Sequence, residues 1–260
     1  MISKNRFQYP LVAAALFAVQ AQAQPIITDV EFSADMYQKA PQGQEMQGKI
    51  YVGKDRMRTE MTQGGQQMIQ ILDNVQRVQW LINPAQKSYM EQRAPADAPA
   101  PVKGSSNPCD DLPGATCKSL GVEQLQGRQA EKWEMTLSQQ GQSYTMTQWI
   151  DQERAMPLRQ EMPNQQVMEL KMVGPDDLGG RKVEKWEVIM SQAGKALQSS
   201  FQWYDPELKI AIKEERPGGF VREFRNIQVG PQPADLFSLP AGLQKAVPPQ
   251  QARPGYPPAR

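Results

Sequence analysis

The feature that most restricts how this chain can fold is an internal duplication. The stretch from Gly127 to Glu161 returns as Gly180 to Glu215. Gly127, Arg128, Glu131, Lys132, Trp133, Glu134, Ser138 and Gln139 all recur 53 positions later. Trp149 and Asp151 recur as Trp203 and Asp205, 54 positions later, so one residue has entered the intervening turn. The match continues to Glu169-Leu170 and Glu223-Phe224. A fainter copy lies upstream, where Gln79-Trp80 and the Asn83-Pro84 turn echo Gln148-Trp149 and Gln202-Trp203-Tyr204-Asp205-Pro206. All five tryptophans belong to these units.

Within each unit the apolar residues alternate with period two. Trp133, Met135 and Leu137 face one side while Lys132, Glu134 and Thr136 face the other; Trp186, Val188 and Met190 likewise oppose Lys185, Glu187 and Ile189. That is the signature of a half-buried strand. Near the start, Val30, Phe32, Ala34 and Met36 alternate in the same way. Short strands are predicted at 48–52, 56–61, 67–72, 77–82 and 87–92, with turns at Gly53-Lys54-Asp55, Gly64-Gly65, Asp73-Asn74 and Asn83-Pro84. Further strands fall at 208–212 and 220–228, while 118–125 fits either helix or strand. Connections this short join antiparallel neighbours into a meander. No unit can bury its apolar side alone, so the units share one sheet. About ten or eleven strands exceed what an open twisted sheet holds without curling. The predicted fold is mainly β with little helix: a strongly curved antiparallel sheet, an incomplete β-barrel built from a repeated meander. A propeller would need about four blades.

The first 23 residues read as a secretory signal: Lys4 and Arg6, an apolar run from Leu11 to Val19, and cleavage after Ala23 in Ala21-Gln22-Ala23. The apolar run is about half the ~20 residues that span a bilayer. No cysteine follows the cleavage site to carry a lipid anchor. The expectation is a periplasmic protein with no transmembrane segment in the mature chain. One sheet domain occupies 24–246, with units at about 46–92, 127–173 and 180–228, a Pro/Ala/Ser-rich linker at 94–107, a cysteine loop at 109–117 and a disordered proline-rich tail at 247–260. Cys109 and Cys117 in an exported chain predict one disulfide; a redox pair would favour Cys-x-x-Cys spacing.

Charge excludes nucleic acid as a partner, since 29 Lys+Arg against 28 Asp+Glu leave no basic footprint. The absence of histidine removes Ser-His-Asp and Cys-His machinery and the commonest transition-metal ligand. Asp151 and Asp205 sit where turns are predicted and read as turn-stabilising carboxylates rather than an acid/base pair. Asp110-Asp111 read as solvated loop charges. No enzymatic activity, cofactor or metal is expected. Fourteen methionines are the oddity of the composition. Thioethers can hold Cu(I), but these are dispersed along the sequence and no histidine supports them. Core filling and an adaptable apolar ligand surface are the two readings left open. The tryptophans likewise are core anchors or the lining of a groove. The candidate ligand-binding set is Trp80, Trp133, Trp149, Trp186, Trp203, Met135, Met146, Met190 and Phe201.

Several short stretches resemble the LolA/LolB-like superfamily of periplasmic outer-membrane lipoprotein carriers and a related family of uncharacterised exported bacterial proteins. They are Phe32-Ser33-Ala34-Asp35-Met36, Gly48-Lys49-Ile50-Tyr51-Val52, Arg56-Met57-Arg58-Thr59-Glu60-Met61, Trp80 before Asn83-Pro84, and Leu236-Phe237-Ser238-Leu239-Pro240-Ala241-Gly242. The resemblance spans roughly Ile26 to Lys245. It implies an incomplete β-barrel whose concave apolar side, partly covered by helices, holds acyl chains: a binding protein for a lipid or lipidated protein. This chain departs from that pattern in its duplication, its 94–107 insertion, its cysteine loop and its lack of an amphipathic lid helix. The alternative is a cell-envelope structural or interaction module with a filled core and an envelope protein as partner.

Overall fold

The computed structural model describes residues 28–94, 107–109, 114–139 and 142–246. The expected signal segment, Asp110-Asp111, nearly all of the linker and the proline-rich tail lie outside the described residues.

Among the described residues sixteen strands follow one another: β1 (Phe32–Lys39), β2 (Glu45–Gly53), β3 (Arg56–Gln63), β4 (Gln66–Asp73), β5 (Val78–Asn83), β6 (Ser88–Arg93), β7 (Ala115–Leu125), β8 (Arg128–Gln139), β9 (Gln142–Asp151), β10 (Pro157–Met162), β11 (Gln166–Leu178), β12 (Arg181–Gln192), β13 (Lys195–Asp205), β14 (Ile210–Arg216), β15 (Phe220–Val229) and β16 (Gln244–Lys245). The only helical pieces among the described residues are short 3-10 turns at Pro163–Gln165, Pro217–Gly219 and Ala234–Phe237. The undecided segment 118–125 is strand. The count exceeds ten or eleven because strands such as β13 have distal ends exposed on both sides, and those ends carry no apolar alternation.

All sixteen strands form one sheet, in the order β16-β6-β5-β4-β3-β2-β1-β15-β14-β13-β12-β11-β10-β9-β8-β7. Two antiparallel meanders meet where β1 pairs with β15, and only β16, beside β6, runs parallel to its neighbour. The sheet is strongly curved and does not close into a barrel.

The duplication is a pair of four-strand units, β7–β10 and β11–β14. β7 and β11 carry equivalent bulges, between Ser119 and Gly121 and between Met172 and Gly174. Gly121 and Gly174, 53 positions apart, hold φ of 100° and 153°, which glycine alone adopts without strain. The repeat therefore starts one strand before Gly127. Register then runs in parallel: Lys132, Trp149 and Arg159 face one another across β8–β10, as Lys185, Trp203 and Lys213 do across β12–β14. This places the second tryptophan of each unit on the side opposite the first. We call the two sides the Trp133 side and the Trp149 side.

The units stack through unlike sides. Ala130, Trp149 and Leu158 of the first unit pack with Leu170, Trp186 and Tyr204, which lie on the Trp133 side of the second. The equivalent residues Val183, Trp203 and Ile212 of the second unit pack against Phe32, Ala34, Ile50 and Val52 of the amino-terminal meander. That meander turns its other side, with Ile71 and Trp80, to Phe237, Leu236, Leu239 and Leu243. Gly53 allows this closure, since a Cβ there would stand 2.7 Å from the Phe237 ring.

One device recurs at the head of three hairpins. Asp151 accepts the backbone N–H groups of Glu153 and Arg154 and pairs with Arg128; Asp205 accepts those of Glu207 and Leu208 and pairs with Arg181. Asp73 accepts the N–H of Gln76 and pairs with Arg56 at 3.0 Å. All three carboxylates are 1% exposed. Asn83, the position matched by sequence, caps its turn more weakly through the Gln86 N–H. These turns carry the residues that bridge units. Arg154 reaches Glu184 of the second unit at 2.8 and 2.5 Å, and Leu208 is fully buried in the next interface.

Removing one partner of a buried pair costs about 3–5 kcal/mol, so with Arg181 partly exposed we expect Asp205→Ala to lose about 3 kcal/mol and Asp205→Asn roughly half that. Glu207→Ala, at an exposed carboxylate, should lose under about 0.5 kcal/mol. Urea unfolding monitored by tryptophan fluorescence measures all three.

Candidate ligand-binding face and cleft

The residues singled out by sequence separate into two groups. Trp80, Trp133, Trp149, Trp186, Trp203 and Met135 are buried, none more than 8% exposed. Met146, Met190 and Phe201 are half-buried. Four of the five indoles spend their N–H on carboxylates: Trp80 on Glu91, Trp149 on Glu123, Trp186 on Glu184 and Trp203 on Asp176. Glu123 and Asp176 are equivalent positions of the duplication. The indole N–H, as the largest cause, holds both carboxyls below the usual carboxylate range; Lys132 adds to this at Glu123 and the Asp177 N–H at Asp176. The lysines of the EKWE motif lie over the second tryptophans, Lys132 at 4.9 Å from Trp149 and Lys185 at 4.8 Å from Trp203. Such stacks contribute about 0.5–1 kcal/mol where solvent reaches them. The Trp149 side of the repeat is thus a charged, cross-braced surface.

The Trp133 side is different. Register places Trp133, Met135 and Leu137 of β8 beside Gln148, Met146 and Tyr144 of β9. Gln160 on β10 faces Gln148 and Met168, and Met162 faces Gln166. Met168, Leu170 and Gln166 of β11 oppose Met190, Val188 and Gln192 of β12, and Gln198, Ser200 and Gln202 of β13 complete the surface. Among the described residues, none of those just named, from Trp133 across to Gln202, is charged; Glu131 and Glu184 stand on the same side nearer the hairpin heads, and Glu214 and Arg216 follow on β14. In a chain with 57 Asp, Glu, Lys and Arg among 260 residues, that run is a compositional exception. The fold has gathered five methionines that are scattered in sequence: Met135, Met146, Met162, Met168 and Met190. Of these the sequence singled out Met135, Met146 and Met190; Met162 and Met168 join them only through cross-strand register.

The uncharged run leads into a cleft of about 590 Å³ under the Arg154–Pro157 turn of the first unit. Met168, Leu170, Val188 and Tyr204 line it together with the charged Arg154, Lys209, Glu214 and Arg216; Phe201 also borders it, but its ring lies on the Trp149 side, beside Trp203 and under Lys185. Burial, its main cause, pushes the Tyr204 hydroxyl above its usual value, keeping it neutral. Asp151 and Asp205 are absorbed by their turns. Among the described residues no cluster of His, Cys, Asp and Glu could hold a metal ion. Cys109 and Cys117 form the expected disulfide.

A family profile described as a domain of unknown function, DUF4412, matches residues 33–177. The chain belongs to the DUF4412 family. The matched region covers β1 to β11, so this DUF4412 protein continues beyond it with the strands of the second unit. No curated protein matches the chain. Among solved structures, it is similar to a domain described as an outer membrane lipoprotein-sorting protein from Vibrio parahaemolyticus (14% identity, 79% of this chain and 88% of that one, TM-score 0.36). It is also similar to a DUF1329 family protein from Desulfovibrio piger (15%, 84% and 92%, TM-score 0.39) and to a LolA superfamily protein from Nitrosomonas europaea (14%, 83% and 91%, TM-score 0.36). At these scores the likenesses say nothing of ligand or mechanism. No helix among the described residues is long and apolar enough to cross a membrane.

At the far edge of the sheet, Glu91 takes hydrogen bonds from Trp80, Lys245 and Arg93, which pull its carboxyl down to about 2. A folded-state pKa below the unfolded value of about 4.3 stabilises fully above that value and is lost as pH falls towards 2. We therefore expect β16 to loosen between about pH 4.5 and 2. The amides of Gln244 and Ala246, bonded to Lys87 and Tyr89, should lose exchange protection in that window, and Glu91→Gln should remove most of the pH dependence.

Proposed function

We propose that this DUF4412 protein is an exported, periplasmic binding protein that holds an extended apolar ligand, such as an acyl chain or an acylated partner, along the Trp133 side of β8–β13. The observation that carries this reading is the uncharged, methionine-rich run from Met135 to Val188 that leads into the 590 Å³ cleft. Methionine is unbranched and polarisable and adapts to apolar ligands of varied shape. Each methylene buried there contributes about 0.8 kcal/mol, so a cleft of this size suits a chain of several carbons. The tryptophans serve this reading indirectly, as the anchors that hold the units in register.

The reading is tested with the purified mature protein. Organic extraction and mass spectrometry should find co-purifying lipid, and a fluorescent fatty-acyl probe should bind and be displaced by unlabelled fatty acid. Val188→Glu and Met168→Glu, at half-buried positions, should each weaken probe binding at least about tenfold, equivalent to 1.4 kcal/mol, without changing the circular dichroism. No lipid and no probe binding would contradict the proposal. They would favour instead an envelope interaction module, for which the free edge of β7, with exposed Leu120 and Val122, is the available surface.

A further inference from the structure

One row of the Trp133 side differs from its copy in a way that packing does not explain. Register sets Cys117 opposite Met135 and Met135 opposite Met146. Because Glu161 faces Thr147, the next step places Met162 beside Met146. Four adjacent strands thus present four sulfur side chains in a single row. The equivalent row of the second unit reads Leu170, Val188, Ser200 and Arg216. The repeated fold accepts other residues there, so sulfur is a property of the first unit. Met135, Met146 and Met162 belong to none of the three hydrophobic clusters, and Met146 and Met162 are half-buried. The Gln160 side-chain amide donates to the Met146 sulfur at 3.2 Å, orienting the central thioether.

We propose that Met135, Met146 and Met162 form a binding site for a soft monovalent cation, Cu(I) or Ag(I). Directly opposed residues on neighbouring strands have Cβ atoms about 4.5–5.5 Å apart. Methionine's three rotatable bonds let the outer two sulfurs lean onto the central one, which gives three thioethers converging on one ion. Thioethers are neutral, soft donors that select Cu(I) over the hard cations carboxylates prefer. The immediate surroundings suit a single positive charge that keeps its soft ligands: the residues that flank the row on the same side, Trp133, Leu137, Tyr144, Gln148 and Gln160, carry no charge. A thioether has no proton to lose, so binding does not compete with protonation as it does at histidine or thiolate sites. Cys117, held in its disulfide, adjoins the row and is not required as a ligand.

The test titrates the intact, disulfide-bonded protein with Ag(I) by calorimetry, and with Cu(I) held by a chromophoric competitor. We expect one ion per chain, sulfur-only coordination in X-ray absorption, and an affinity that stays flat between roughly pH 5.5 and 8. Met146→Leu and Met162→Leu should each weaken binding at least about tenfold, since a thioether ligand is lost while volume is kept. Met57→Leu, in the core of the amino-terminal meander, should leave it unchanged. Met135 is buried, so its variant is interpreted only beside these two. Absence of binding, binding that survives in a Met146→Leu/Met162→Leu double variant, or affinity that rises with pH as carboxylates ionise would overturn the proposal. Acyl-probe binding is read separately, so the metal site and the apolar-ligand reading can fail independently.

Discussion

The architecture depends on a carboxylate buried at the head of a hairpin and matched by an arginine from the preceding strand. Asp151 with Arg128 and Asp205 with Arg181 fix turns that would otherwise splay, because the same carboxylate caps two backbone N–H groups and neutralises a guanidinium. A carboxylate at 1% exposure is tolerable only with all these partners in place. The pinned turn then becomes a rigid projection. In the first unit it delivers Arg154 to Glu184 and Met156 to the cluster around Trp186; in the second it delivers Leu208 to the cluster around Phe32.

Stacking of unlike sides follows from that projection. Each unit uses its Trp149 side to cover the next, and its Trp133 side to be covered by the one before. The first unit stands at the β7 edge of the sheet and has no preceding copy. No other copy packs on its Trp133 side, where Trp133 and Met135 are nonetheless buried, and the methionine- and glutamine-rich surface begins there and continues onto the second unit. In the second unit the covering turn leaves a partial gap, the cleft under Arg154–Pro157. The candidate functional surfaces are thus the places where the stacking rule ends or is incompletely met.

Much of this was legible in the sequence because it is local. Alternation around Trp133 and Trp186, the amino-terminal hairpins and the single disulfide all came from short-range pattern. What was hidden is non-local or is preserved as conformation rather than identity. The start of the repeat lies in Gly121 and Gly174 and in the Glu123–Asp176 exchange, where backbone geometry and charge persist while the neighbouring residues diverge. The side on which Trp149 lies is decided by its pairing with Lys132, not by alternation within its own strand. The methionine row is invisible for the same reason: Met135, Met146 and Met162 become neighbours only through hydrogen-bond register across three strands.

The claim that pinned turns hold one unit onto the next is tested most directly by a double-mutant cycle on Arg154 and Glu184, whose side chains are 14% and 13% exposed. The cycle compares the stability of Arg154→Ala, Glu184→Ala and the double variant. A load transmitted between units predicts a coupling of about 1.5–3 kcal/mol, whereas a coupling below about 0.3 kcal/mol would show the contact to be an ordinary surface pair and would contradict the stacking account.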